Sequence, residues 1–434
     1  MQSFGNKMSN QPLIQFNPKL PRLSNSEKAV LELLVEAGKL VAPLYLEQEN
    51  QAKKLSKQEI EKAGKKDPSI LSPYTALEKV NGKIVATPYH IKYAKFLKPI
   101  ADKLNEAGSL TDNKEFGKAL KIQAKALLNG SYDEATIAWL RMKPYILDIS
   151  IGPLDHFGGQ LIPGKASYHC WVGTPDVEGT IRLNNYKSIT LSARREALLP
   201  KERIDTNNVK AKVLDMVLFS GFMARTKFVG INLPLDVRIV EKYGSQVTLF
   251  NQPNDLRIKK QILPTFNKIF SYAFREGFSK EDLRRGYLRC VALHELAHSY
   301  LYYKHASKNL EDLFPVIYEL AATVLGLRMA GSLLLKDRIT EKMLESMIVA
   351  FICRSYHLTH EGKSDKSLPV YALGGAIFIN FMLERGALKQ FGGSIVPNFT
   401  KIFVSLHDLS HILESLLAHG TRKDAEAFIK KYSS

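Results

Sequence analysis

Residues 294–298 read His-Glu-Leu-Ala-His. On a helix, positions i and i+4 lie one turn apart on the same face, so His294 and His298 can offer two imidazole nitrogens to one ion. Glu295 projects alongside, close enough to take a proton from an attacking water. Tyr287, Leu288, Val291, Ala292, Leu293 and Leu296 around them are apolar or aromatic, as on a helix packed into the protein. Burying two histidines and a glutamate without a partner would be costly; the plain alternative is a satisfied core histidine pair. A hydrolytic zinc site needs a third protein ligand and one open position. Glu319 is the only acidic side chain in the apolar stretch 315–328 and follows His298 by 21 residues. That gap leaves room for a loop and a returning helix. Desolvation disfavours a lone charged carboxylate on an apolar helix unless something neutralises it. The reading is one Zn2+ per chain on His294, His298 and Glu319, with Glu295 as general base.

These residues need elements to hold them. The chain has 434 residues, 45 % hydrophobic and 24 % charged, which excludes wholesale disorder and collagen-like or disulfide-scaffold classes. A helix is expected behind Ser24 or Ser26, with Val30, Leu33, Leu34, Ala37, Val41 and Leu44 on one face. A Lys-rich loop follows to about residue 86, then helical patterning over 91–128, broken at Gly108 and Thr111-Asp112-Asn113. Residues 145–154, 166–173, 180–186, 227–235 and 245–250 are short, rich in β-branched and aromatic side chains, and bounded by Gly, Pro and Asn, as strands are. After 257 the pattern is helical almost to the end, most clearly at 311–333, 338–355, 371–386 and the closing DAEAFIKKY. The expected architecture is α+β, with a lead-in at 1–22, helices and a strand-rich lobe at 23–256, and a helical metal-binding lobe at 257–434.

Charge and cysteines bound the function further. The formal net charge is +18, and residues 51–100 hold eleven lysines against four acids. The Lys-rich run alternates with Glu and Gln and has no interleaved aromatics, so it reads as a solvated face rather than a nucleic-acid site. Cys170, Cys290 and Cys353 show no metal or disulfide spacing, as expected in a reducing compartment. Cys290, one turn before His294, reads as a buried helix thiol. The longest apolar run noted, 368–383, is shorter than the ~20 residues a membrane helix needs. With no secretory signal pattern at the N-terminus, the expectation is no membrane span and a cytoplasmic protein. The oligomeric state is left open.

Several blocks, in order, resemble the dipeptidyl-peptidase III family of zinc metallopeptidases, in its shorter branch with H-E-x-x-H. YDEATIAWLRMKPYILDISIGPLDHF is similar to the family's block ending in I-G-P-I-E-x-Y, GINLPLD to its I-N-L-P-N-D, YELAATVLGLRMAG to its E-x-x-A-x-x-x-G-L, and INFMLERGAL to its F-N-x-x-x-E-K-G-A-F. The resemblance covers much of residues 130–434. It implies a bilobal fold, with one lobe around a β-barrel-like core, a helical zinc lobe, and short peptides or a small amide bound in the cleft between them. It also implies that Asp155 binds the substrate's α-amino group and that Asn232 contacts substrate. Phe157 stands where the family has a Tyr, Tyr371 where it has a His, Thr323 where it has an acidic residue, and Leu235 where it has a second Asn. Tyr371 could supply a phenolic donor to the oxyanion in place of the imidazole; His357 and His360, read as lying in a polar loop, are local alternatives. The expectation is a slow or differently selective hydrolase. The alternative is a peptide-binding or regulatory protein on the same zinc scaffold.

Overall fold

The computed structural model describes residues 11–53, 55–154, 164–193, 208–360 and 369–433. It divides into two compact units, residues 1–175 with 214–228 and residues 176–213 with 229–434.

In the first unit, the helix Asn25–Ala52 starts where Ser24 accepts from the Glu27 backbone N–H and Glu27 accepts from that of Ser24. This reciprocal cap satisfies two orphan donors. The six apolar positions expected on its inner face are all buried. They pack against the helix Ala94–Leu110 and against an antiparallel sheet. Strand β1 (Leu13–Gln15) belongs to that sheet. The expected Lys-rich loop instead contains the helix Lys57–Gly64 and a hairpin of β2 (Thr75–Val80) and β3 (Lys83–Pro88). Its signal was Asn81-Gly82, two consecutive positive φ angles that Asn-Gly accepts readily. The sheet continues with β4 (Asp148–Leu154), β5 (Ser167–Pro175) and β6 (Val209–Gly221, of which residues 214–221 belong to this unit), with β4 paired to β5, β5 to β6 and β6 to β1. Among the described residues it is open, so the β-barrel-like expectation is corrected to a mixed helix and sheet fold without a closed barrel. Closure needs more strands and a consistent stagger.

Two further segments differ from the sequence reading. Residues 180–186 lie within the helix Val177–Ala193 rather than a strand, started by Asp176, whose carboxylate accepts from the Gly179 N–H. The long strand β6 was not anticipated. Its alternation of Val209, Ala211 and Val213 with Lys210 and Lys212 was the period-two signal.

In the second unit, β7 (Gly230–Leu233) and β8 (Ser245–Phe250) pair antiparallel. The histidine helix, Lys280–His298, starts at a capping box of Ser279 and Asp282. The glutamate helix, Phe314–Leu335, carries Pro315 in its first turn, where a missing N–H costs nothing. These two helices pack on each other; Glu341–His360 packs on the first, and Pro369–Glu384 on the second. His357 and His360 therefore sit in the last turn of a helix, not in a polar loop. The closing helical stretch is interrupted by a hairpin of β9 (Leu388–Phe391) and β10 (Ser394–Pro397). The last helix, Arg422–Tyr432, docks on Pro369–Glu384, with the Asn380 amide donating to the Tyr432 carbonyl at 2.9 Å. One stretch, Ala306–Leu335, is apolar and long enough to cross a membrane, but 78 % of its apolar window is buried inside the protein. It is therefore no clear span.

Candidate metal centre

The histidine and glutamate helices bring three side chains together. His294 Nε2 lies 3.2 Å from His298 Nε2 and 3.2 Å from Glu319 Oε2, and His298 Nε2 lies 3.6 Å from the same oxygen. Ligands bound about 2.0–2.1 Å from a tetrahedral ion stand about 3.3–3.4 Å apart. The three atoms therefore match three corners of such a site. His298 and Glu319 are buried and His294 nearly so. Neither Glu319 Oε2 nor His298 Nδ1 has a hydrogen-bond partner among the described residues. Converging lone pairs and an orphaned buried carboxylate oxygen are costly alone and favourable around a cation. The donor set, two imidazoles and one carboxylate, suits Zn2+.

Close helix approach sets this geometry. A Cβ on Gly326 would stand 2.9 Å from the His294 backbone nitrogen and 2.9 Å from the Leu293 carbonyl carbon. The absence of a side chain there lets the glutamate helix lie against the turn that carries His294. Tyr318 adds a flat wall, its ring 4.7 Å from that of His298. Behind His294, Nδ1 lies 2.8 Å from the Thr323 hydroxyl, which donates to the Glu319 carbonyl at 3.2 Å.

Charge follows the same pattern. Burial presses His294 down, but the facing Glu319 carboxylate and the Glu295 charge outweigh it and lift its pKa above the ordinary value. Burial also disfavours a charged Glu319, yet His298 and His294 hold its carboxyl well below the usual range. Glu295 is pushed up, chiefly by burial, with the two imidazoles opposing and Glu319 adding. Its side chain occupies space left by Gly230, where a Cβ would meet Glu295 Oε1 at 2.9 Å.

The remaining sequence candidates are distributed as follows. Asn232, on β7, donates from Nδ2 to the Glu295 carbonyl at 3.1 Å and the Ser299 hydroxyl at 2.8 Å. Its Oδ1 has no partner among the described residues. Tyr371 lies on Pro369–Glu384, close enough for the Glu319 and Glu295 charges to add to burial and lift its pKa well above normal, with Arg257 and Arg354 opposing. It stays a protonated donor. Asp155 and Phe157 lie outside the described residues. Burial pushes the Cys290 thiol up to about 12, so it is no nucleophile near neutral pH. Sequence reasoning missed the roles of Gly230, Gly326 and Tyr318; Thr323, four residues after Glu319, was visible only as a departure.

The coordinates resemble dipeptidyl-peptidase III from Caldithrix abyssi, with a TM-score of 0.77, 19 % identity, and coverage of 95 % of this chain and 91 % of that one. They also resemble dipeptidyl-peptidase III from Corallococcus sp. strain EGB, with a TM-score of 0.82, 19 % identity and coverage of 97 % and 90 %. The fold is that of dipeptidyl-peptidase III. No protein-family model matches the chain. By sequence it is 24 % identical over 366 residues to Nudix hydrolase 3 of Arabidopsis thaliana, across 81 % of this chain and 46 % of that protein. The chain thus spans about half the length of that relative, whose name does not say which part is matched. All three proteins are hydrolases by name.

Proposed function

We propose that the chain is a zinc-dependent hydrolase that cleaves short peptides near their N-terminus. The observation that carries this reading is the triangle of His294 Nε2, His298 Nε2 and Glu319 Oε2, with a buried carboxylate, Glu295, next to it in sequence. When bound, the ion supplies a Lewis acid that polarises the scissile carbonyl and makes water acidic enough to attack near neutral pH. The chain supplies the rest. Glu295 takes the proton from the attacking water at a carboxylate oxygen, and its raised pKa keeps it able to pass that proton to the leaving amine. Tyr371 keeps its phenolic proton and donates a hydrogen bond to the developing oxyanion; one such donor is typically worth roughly 10²–10³ in rate. Asn232 Oδ1 accepts from a substrate N–H, and Asp155 receives the free α-amino group.

The second reading, a peptide-binding or regulatory protein on the same scaffold, draws on the absence of any carboxylate hydrogen-bonded behind either histidine among the described residues. Glu295 separates the two, because a purely structural zinc site has no use for a base. Hydrolysis of dipeptidyl reporters and longer peptides, with and without chelator, is the test. Glu295→Gln is expected to lower turnover by roughly 10²–10⁴ while zinc content stays unchanged. Retained turnover removes Glu295 as the base, and no chelator-sensitive hydrolysis in the wild type removes the enzyme reading.

A further inference from the structure

We infer that Thr323 is the positioning residue that sets how tightly this site holds its ion, acting through a hydroxyl relay to His294. The inference rests on the metal reading above and adds the source of the site's affinity. Thr323 Oγ1 has one proton, and it is directed to the Glu319 carbonyl, an oxygen that can only accept. The hydroxyl therefore faces His294 with a lone pair, and the contact at 2.8 Å requires the proton on His294 Nδ1. In the neutral ring Nε2 is then the nitrogen left to face the ion, and it is the atom that points at His298 and Glu319. A single side chain thus fixes the tautomer and ring angle of one ligand and ties both to the backbone of another, Glu319.

Among the described residues the relay stands alone. His298 Nδ1 is buried with no hydrogen-bond partner among the described residues, so none of them gives the second histidine a matching anchor. The relay is also neutral. A carboxylate behind a ligand histidine makes the imidazole more basic, and outer partners of this kind are worth 10–100-fold in metal affinity. A hydroxyl orients the ring without adding charge, so this centre is built to hold Zn2+ less tightly than one backed by a carboxylate. Activity would then follow the free zinc available.

The experiment measures Zn2+ affinity of the apo full-length chain by chelator competition, for wild type, Thr323→Val and Thr323→Ser. Val keeps the shape and removes the relay; Ser restores the hydroxyl. Thr323→Val is expected to bind zinc roughly tenfold or more weakly, with Thr323→Ser close to wild type. Imidazole 15N shifts of the apo protein, followed with rising pH until the His294 ring is neutral, are expected to show it protonated on Nδ1 in wild type and Thr323→Ser, and a tautomer mixture in Thr323→Val. Equal zinc affinity in all three, or an unchanged His294 tautomer in Thr323→Val, overturns the relay while leaving the metal site standing. A wild type that takes up no zinc overturns the metal reading and the relay together.

Discussion

Lys165, in the first unit, is a buried charge, and its surroundings make a prediction at the level of one residue. Its ammonium donates to the Ser72 carbonyl at 2.5 Å and the Thr75 hydroxyl at 2.6 Å, both neutral oxygens. Burial lowers its pKa from the ordinary 10.5 to about 8. The folded chain therefore loses this proton near pH 8, whereas the unfolded chain keeps it until about 10.5. In that window the unfolded state binds more protons, so the group's contribution to stability rises with pH. The Tm of wild type relative to Lys165→Met is expected to rise between pH 8 and 10; a difference independent of pH contradicts this. Among the site residues, the histidine pair and Glu319 were legible because their spacing and hydrophobic setting are local facts. The resemblance marked position 323 as a place where an acidic residue orients a ligand histidine, but that the Thr323 hydroxyl faces His294 Nδ1 was not legible. Which oxygen faces Nδ1 depends on how two helices cross, and no pattern within one helix records that.

The helix crossing itself is the next scale. The glutamate helix reaches His294 only because Gly326 has no side chain, and a Cβ there would press on backbone atoms that cannot rotate away. Gly326→Ala is expected to cost about 1–3 kcal/mol of stability by overpacking and to weaken zinc binding by spreading the ligands. Denaturant unfolding together with zinc titration checks both. An alanine variant with wild-type zinc affinity would show that the spacing of the ligands does not depend on this contact. Helices were the elements easiest to read, because 3.6-residue periodicity and caps such as Ser24 and Ser279 are written locally. Strands fared worse where composition and context disagreed. Residues 180–186 have strand-like side chains, yet the Asp176 cap commits them to a helix. Strand β6 hides its alternation behind lysines that are half-buried while Val209, Ala211 and Val213 are fully buried.

At the scale of the whole molecule, the chain shares a fold with dipeptidyl-peptidase III at 19 % identity, while its sequence relative is more than twice as long as the matched segment. A shared fold carries many chemistries, so function must be argued from the site. Here that argument turns on one contact set, formed by residues 25 positions apart from His294 to Glu319. The most direct measurement is the zinc content of the purified chain after dialysis against metal-free buffer and reloading, with wild type and Glu319→Ala side by side. About one zinc per chain is expected for wild type, falling well below that for the alanine variant, which keeps only two of the three protein ligands. A wild type that retains no zinc, or an alanine variant that retains as much as wild type, contradicts the account.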